Sequence, residues 1–164
     1  MSVELSPIIA GVMNWGVWDK NLNTNEFTHL INLFIENGIT TFDHADIYGG
    51  YTTEASFGKA LSESKIDRKK IQLITKCGIQ YTSESRPNNS IKHYEYSKDY
   101  IIWSAENSLK NLQTDYLDVF LLHRPSPLMQ ADEIAEAVSK LKADRKMLYE
   151  EVSKFTTSNT ELIS

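Results

Sequence analysis

Short runs of β-branched and other apolar residues alternate along this chain with segments whose apolar residues recur at helical spacing. The runs lie at 7–12, 39–43, 71–76, 117–122 and 147–153, and a polar turn and a helical segment follow each of the first four. Parallel strands joined by helices produce this alternation. The 117–122 run is apolar at nearly every position, as a strand covered on both faces should be. The sequence therefore predicts an α/β fold with about five βα units.

The segments between the strands have apolar stripes and turn residues that predict where helices begin and end. In the first segment, Thr24 or Asn25 is expected to cap the helix and Asn37-Gly38 to end it. A short helix is predicted over about 53–62, and Ser97 is expected to cap the next one. The inward residues of the four helices are predicted to be Phe27, Leu30, Ile31 and Phe34; Phe57 and Leu61; Ile101, Ile102, Ala105, Leu109 and Leu112; and Ile134, Ala135, Val138 and Leu141. A further helix could begin within 156–164.

Length, charge and cysteine content restrict the class of protein. At about 30 residues per βα unit, 164 residues give one domain, 1–164, of about five units, whereas a closed (β/α)8 barrel needs about 250 residues. The net charge of -5 is spread over interspersed acidic and basic residues, so we expect a small-molecule partner, and neither nucleic acid nor a membrane surface. A lone cysteine, Cys77, excludes an intramolecular disulfide and argues against a cysteine-based zinc site. We expect no metal site and a cytoplasmic location.

Four polar residues stand where the second, third and fourth predicted strands end. They are Asp43, Tyr48, Lys76 and His123. In a parallel barrel these strand ends meet at one face and build the active site. Each residue alone has an ordinary structural explanation, such as a helix cap, turn packing, a solvated strand end or a buried imidazole. Their joint occurrence at three successive strand ends favours a shared catalytic site.

These four residue types form a coherent proton-donating group. A phenol titrates near pH 10, so we expect a neighbouring positive charge, Lys76, to lower the pKa of Tyr48. A buried ammonium needs a partner of opposite charge, and Asp43 could supply it. His123 could hydrogen-bond the oxygen of a carbonyl substrate and orient it.

Three segments resemble motifs of the aldo-keto reductase family. They are GITTFDHADIYGG at 38–50, ITKCG at 74–78 and NSLKNLQTDYLDVFLLHRP at 107–125. The resemblance implies a (β/α)8 TIM-barrel type fold, here truncated to about five units. It implies that hydride passes from NADPH, with NADH as the alternative, to a carbonyl carbon. It also implies that Asp43, Tyr48, Lys76 and His123 are a catalytic tetrad with Tyr48 as the general acid.

The same resemblance implies a set of cofactor contacts. Gly11 and Val12 would lie beside the nicotinamide ribose, with Asp43 near the same sugar, and Ser153 would contact the carboxamide. Met13, Trp15 and Trp18 could line the substrate pocket, but apolar aromatic residues at a strand end are more often core, and we favour core. The long polar loop at 78–96 reads equally well as a functional lid and as a surface excursion.

The fifth strand departs from the family pattern. Where the family has Gly-Val-Ser-Asn-Phe, this chain has Glu151-Val152-Ser153-Lys154-Phe155, with Glu150 before it. Because adjacent strand residues face opposite sides and barrel strands are covered on both, one of the two glutamates is expected to be buried and to need a partner. This change, and the open edges of a five-stranded sheet, leave three hypotheses. The chain is an active reductase that could self-associate through those edges, a truncated inactive relative acting at most as a binding or assembly module, or a fragment completed by a second chain.

Overall fold

The computed structural model describes residues 3–155, which form a parallel sheet with helices along one side. The strands are Ile9–Gly11 (β1), Thr41–Asp43 (β2), Gln72–Cys77 (β3), Ile79–Gln80 (β4), His93–Tyr94 (β5), Leu117–Leu122 (β6) and Met147–Val152 (β7). The helices are Thr24–Glu36 (α1), Tyr48–Tyr51 (α2), Thr53–Ser64 (α3), Lys98–Leu112 (α4) and Ala131–Ala143 (α5), with one 3-10 turn at Arg68–Lys70. The helix considered for 156–164 lies outside the described residues.

Five strands form the main sheet in the order β1-β2-β3-β6-β7, and every neighbouring pair is parallel. Helices α1, α3, α4 and α5 connect successive strands and pack against one another in sequence order. The five predicted strands are confirmed, with bounds that differ by at most two residues. β4 and β5 form a separate antiparallel ladder inside the 78–96 loop, so this loop is partly ordered by its own strand pairing.

The hydrophobic core lies between the sheet and its helices. Each of the first three long helices contributes fully buried side chains to this core: Phe27 and Ile31 from α1, Phe57 from α3, and Ile101 and Leu112 from α4. Burial of each large side chain stabilises the fold by about 1.5–3 kcal/mol. The predicted inner faces of these helices are therefore largely correct.

Two details of the helices differ from the sequence prediction. α1 is capped by Asn23, not by Thr24 or Asn25: the Asn23 side chain accepts from the Glu26 amide at 3.1 Å, and the Glu26 carboxylate accepts from the Asn23 amide at 2.7 Å. This reciprocal capping box satisfies two amides that the helix start leaves unpaired. On α5, Ala137 is buried and Ala135 is exposed, because the apolar stripe runs through Ile134, Ala137 and Leu141. Among the described residues, no helix combines the length and apolar character that crossing a membrane requires.

Candidate active site

The parallel register of three neighbouring strands brings Asp43, Lys76 and His123 to one end of the sheet. Asp43 is the last residue of β2, Lys76 lies one position before the end of β3, and His123 directly follows β6. The His123 amide donates to the Cys77 carbonyl oxygen at 2.9 Å, which continues the ladder between β3 and β6 past the last strand residue. The strand ends predicted to share one face therefore do so.

The Lys76 ammonium is the centre of this group. Its Nζ donates to Asp43 Oδ1 at 2.6 Å and to the His44 carbonyl oxygen at 2.7 Å, and it lies 3.4 Å from the Tyr48 hydroxyl. Lys76 is buried, whereas the Asp43 carboxylate is 28% exposed. Burial lowers the pKa of Lys76, and the Asp43 carboxylate opposes that change. The predicted ion pair between Lys76 and Asp43 is thus present.

Tyr48 reaches the same point from the turn that follows β2. Its hydroxyl accepts a hydrogen bond from Lys76 Nζ at 3.4 Å, and its ring meets the His123 ring edge to face, with centroids 6.3 Å apart. Gly49 and Gly50 have φ values of 60° and 67°, a left-handed conformation that favours glycine. A Cβ on Gly49 would lie 2.4 Å from the Thr53 hydroxyl oxygen, so a side chain there would displace the turn. The glycine pair lets the chain reverse directly after Tyr48.

The prediction that Lys76 lowers the pKa of Tyr48 is wrong. Burial, with the Asp43 carboxylate second, raises the pKa of Tyr48 to about 12. Asp43 lies closer to the ammonium than the phenol does, at 2.6 Å against 3.4 Å, so it offsets much of the positive charge that would favour a phenolate. Tyr48 is therefore a protonated phenol at neutral pH.

His123 is a neutral imidazole in this site. Burial lowers its pKa to about 4, and the positive charges of Lys76, Lys154 and Arg124 act in the same direction. Its Nδ1 is buried with no hydrogen-bond partner among residues 3–155. A neutral imidazole keeps one N–H, so His123 can still donate a hydrogen bond to an uncharged oxygen.

The residues expected to contact a cofactor lie at both edges of the sheet. Gly11 ends β1, is exposed, and has open space where a Cβ would stand. Val12 is fully buried; its amide donates to the Asp43 carbonyl oxygen and its carbonyl accepts from the Trp15 amide. Ser153 follows β7, is half-buried, and donates its amide to the Leu122 carbonyl oxygen at 2.9 Å. These residues therefore flank the four-residue group from opposite sides.

The β7 strand corrects a prediction made for Glu150 and Glu151. Neither carboxylate is buried, and Glu150 forms an ion pair with Lys142 on α5. β7 pairs in regular parallel register with β6 at the edge of the described sheet, and the side chains on both of its faces at Glu150 and Glu151 are exposed. The expectation of one buried carboxylate assumed a strand covered on both faces.

Aromatic side chains border the site, and one of them was not found from the sequence. Trp15 is core, as favoured, but Met13 and Trp18 are 45% and 47% exposed, so the core interpretation is wrong for these two. The Trp18 ring lies 6.2 Å from the Tyr48 ring and 6.4 Å from the ring of Tyr81, which belongs to the 78–96 loop. The alternation Ile79-Gln80-Tyr81, directly after the third strand, was the available signal for this residue.

Comparison with known proteins agrees with the motifs. The sequence model of the aldo/keto reductase family matches residues 7–164. The chain is similar to the uncharacterized oxidoreductase YcsN of Bacillus subtilis, 48% identical over 93% of this chain and 50% of that protein. It is also similar to the 6-dehydroglucose reductase of Agrobacterium fabrum, 39% identical over 93% of this chain and 51% of that protein.

Solved structures give the same result for the fold. The glycerol dehydrogenase of Gluconobacter oxydans superposes with a TM-score of 0.83 at 25% identity, over 99% of this chain and 49% of that one. The predicted fold class, a barrel of βα units represented by about five of them, is confirmed. The chain spans about half the length of the relatives it matches.

Proposed function

Because this chain belongs to the aldo/keto reductase family, we propose that it takes part in NADPH-dependent reduction of an aldehyde or ketone, with Tyr48 as the general acid. The observation that carries the proposal is the convergence on the Lys76 ammonium, whose Nζ lies 2.6 Å from Asp43 and 3.4 Å from the Tyr48 hydroxyl. The chain spans about half the length of its relatives, so the proposal concerns what these residues do within that half.

The residues present suit the nicotinamide ribose end of the cofactor. Open space beside Gly11 would accept a sugar, the exposed edge of the Asp43 carboxylate would accept a hydrogen bond from a ribose hydroxyl, and the Ser153 hydroxyl could bind a carboxamide. When bound, NADPH supplies the hydride for the carbonyl carbon. NADH remains the alternative, because the described residues that border the site do not distinguish the two cofactors. No metal is needed in this scheme.

The chain's own residues would handle the proton. Tyr48 stays protonated, since its pKa is about 12, and can donate to the carbonyl oxygen as negative charge develops there. The Lys76 ammonium, 3.4 Å from the phenol oxygen, would stabilise the phenolate that the transfer leaves. Asp43 keeps that ammonium charged, and the neutral His123 would donate to the same carbonyl oxygen and orient it.

The experiment follows NADPH fluorescence during titration and then NADPH oxidation with a series of simple aldehydes and ketones. We expect saturable binding and turnover. Tyr48→Phe should reduce kcat by about 10²–10⁴-fold, the range for a general acid, and leave the Kd for NADPH within about twofold. Tyr94→Phe, which removes an exposed phenol from the 78–96 loop, is the matched control and should behave like the wild type. Equal rates in Tyr48→Phe and wild type would refute the assignment of Tyr48.

A second candidate function, a binding or assembly module, is supported by β7. Glu151 and Lys154, both exposed, stand where the family pattern has Gly and Asn, and β1 and β7 are both edges of the described sheet. Absence of NADPH binding at millimolar concentration would favour this function, and light scattering on the same samples would test self-association through those edges. Turnover that needs an added polypeptide would instead identify a two-chain enzyme.

A further inference from the structure

Arg86, in the middle of the 78–96 loop, is tied to the body of the protein by polar contacts. Its Nη1 donates to Gln80 Oε1 at 2.9 Å and to the Tyr100 hydroxyl at 3.2 Å. Its Nη2 lies 3.8 Å from Asp46 Oδ2. Tyr100 belongs to α4 and Asp46 to the turn after β2, so one side chain connects the loop to two other parts of the fold.

Two aromatic rings hold the same guanidinium. Its carbon lies 3.8 Å from the centroid of the Tyr51 ring and 4.7 Å from that of Trp103. A guanidinium over an aromatic face is stabilised by about 0.5–2 kcal/mol, more when water is excluded, and the Arg86 side chain is only 12% exposed. These contacts use the planar shape of arginine as well as its charge.

The acid that faces Arg86 is fully enclosed. Asp46 Oδ2 accepts from the Tyr100 and Ser104 hydroxyls, both at 3.1 Å. Burial, with the neighbouring Glu54 second, raises the pKa of Asp46 to about 7, and Arg86 opposes that rise. Asp46 stands two residues before Tyr48, so whatever holds Arg86 against it also ties the loop to the segment that presents Tyr48.

The loop in turn sets the position of Tyr81. The Tyr81 amide donates to the Tyr51 hydroxyl at 3.1 Å, and the two rings stack with centroids 5.3 Å apart. The Trp18 ring contacts both of the other rings, with its centroid 6.4 Å from that of Tyr81 and 6.2 Å from that of Tyr48. Tyr51 therefore contacts both Arg86 and Tyr81, and links the loop anchor to the aromatic border of the site.

We propose that Arg86 is a positioning residue: it fixes the 78–96 loop against α4 and the turn after β2, and so holds Tyr81 on the substrate side of Tyr48. The loop is then a fixed border of the site and not a surface excursion. The effect on substrate rests on the proposed function, whereas the anchoring of the loop does not. Arg86 touches neither Tyr48 nor Lys76, so its effect should fall on substrate affinity and leave the proton transfer unchanged.

The test compares three variants of the same loop. Arg86→Met removes the charge and the planar group, Arg86→Lys keeps the charge alone, and Lys92→Met removes an exposed positive charge from the same loop as the control. Two measurements need no turnover. One is hydrogen exchange of peptides covering 79–95; the other is the ¹⁹F spectrum of protein labelled with 3-fluorotyrosine, with the Tyr81 resonance assigned from Tyr81→Phe. KM and kcat for an aldehyde are the third measurement.

In Arg86→Met we expect exchange of the 79–95 peptides to rise by at least about tenfold, while peptides from β3 and β6 stay unchanged. The Tyr81 resonance should move towards that of free 3-fluorotyrosine. KM should rise by about fivefold or more with kcat within about twofold. Arg86→Lys should show a smaller change of the same kind, and Lys92→Met should match the wild type.

Wild-type loop exchange and an unmoved Tyr81 resonance in Arg86→Met would overturn the anchoring role. If that variant does not fold, Arg86→Lys decides the same question by the same two measurements. A released loop with unchanged KM would overturn the effect on substrate. If the wild-type protein itself gives no turnover, the proposed function fails, and the exchange and ¹⁹F data still decide whether Arg86 fixes the loop.

Discussion

Charged side chains are enclosed by protein at the ends of the interior strands and exposed to solvent on the edge strand β7. At the ends of β2 and β3, Lys76 and Asp43 form a close ion pair that is largely removed from solvent. On β7, Glu150 pairs with Lys142 from α5, but both side chains are about half in water, at 46% and 42% exposure. Each pair joins residues of neighbouring elements. What differs is whether further strands and helices enclose the pair.

That difference in burial determines how strongly the loss of each ion pair changes the free energy of unfolding. A charge enclosed by protein depends on its partner, since losing the partner leaves it poorly solvated, whereas an exposed charge is solvated with or without one. Interior strand ends should therefore be sensitive to substitution and to pH, and the β7 edge should tolerate both. Three measurements of the free energy of unfolding test this contrast.

The largest effect on the free energy of unfolding is expected from His44, which directly follows Asp43 and is fully buried. Its ring packs edge to face on Phe57, with centroids 4.4 Å apart, and neither ring nitrogen has a partner in the described part of the chain. Burial, with Lys76 second, lowers the pKa of His44 from 6.5 to about 3. Between pH 6.5 and pH 3, His44 is therefore protonated in the unfolded chain and neutral in the folded chain. Its contribution to stability is full above pH 6.5 and is lost as the pH falls towards 3.

This titration amounts to a loss on the order of 4 kcal/mol between pH 6.5 and pH 3. We expect His44→Leu to flatten the decline in urea-derived stability over that range. His123 shifts stability in the same direction and Asp46 in the opposite direction, but both are present in the wild type and the variant, so the comparison isolates His44. His93→Leu, at an exposed histidine, is the control and should keep the wild-type slope. Equal slopes for His44→Leu and wild type would contradict the prediction.

The second effect is expected from Lys76→Met. The substitution leaves the Asp43 carboxylate and the His44 carbonyl oxygen without their shared donor. Breaking a fully buried pair typically costs 3–5 kcal/mol, but the Asp43 carboxylate keeps some contact with water, so we expect a loss of about 2 kcal/mol. Urea unfolding at neutral pH measures it. A loss under about 0.5 kcal/mol would show that solvent, and not Lys76, stabilises Asp43.

The convergence of site residues at the ends of the interior strands could be predicted from the sequence, because the positions of the strand ends fix which residues meet. Strands of a parallel sheet end at one edge, so polar residues after apolar runs predicted that Asp43, Lys76 and His123 would converge. The catalytic roles of these residues remain predictions. The raised pKa of Tyr48 could not be predicted, because it depends first on how deeply the phenol is buried and then on how close the Asp43 carboxylate lies, and both require coordinates.

The wrong predictions concern a helix cap with several equivalent candidates, a strand at the edge of the described sheet and a polar loop. Asn23, Thr24 and Asn25 are all good caps, and only the position of Glu26 relative to Asn23 distinguishes them. Glu150 and Glu151 were expected to include one buried residue, because the pattern cannot tell a covered strand from one at the edge of the described sheet. Arg86 lies in the part of the 78–96 loop whose polar composition gives no period from which a contact could be read, and the alternation before Tyr81 is only three residues long.

The smallest effect is expected at the β7 edge, from Lys142→Met. This variant breaks the ion pair with Glu150 by the same substitution that breaks the interior pair at Lys76, so the two differ mainly in burial. Because both side chains are more than a third exposed and water solvates Glu150 alone, screening should hold the change in unfolding free energy below about 0.5 kcal/mol. The same urea titration measures it, and added salt should change the result little. A loss as large as that of Lys76→Met would mean that Lys142 and Glu150 are enclosed in solution, as they would be if another element covered the β7 edge.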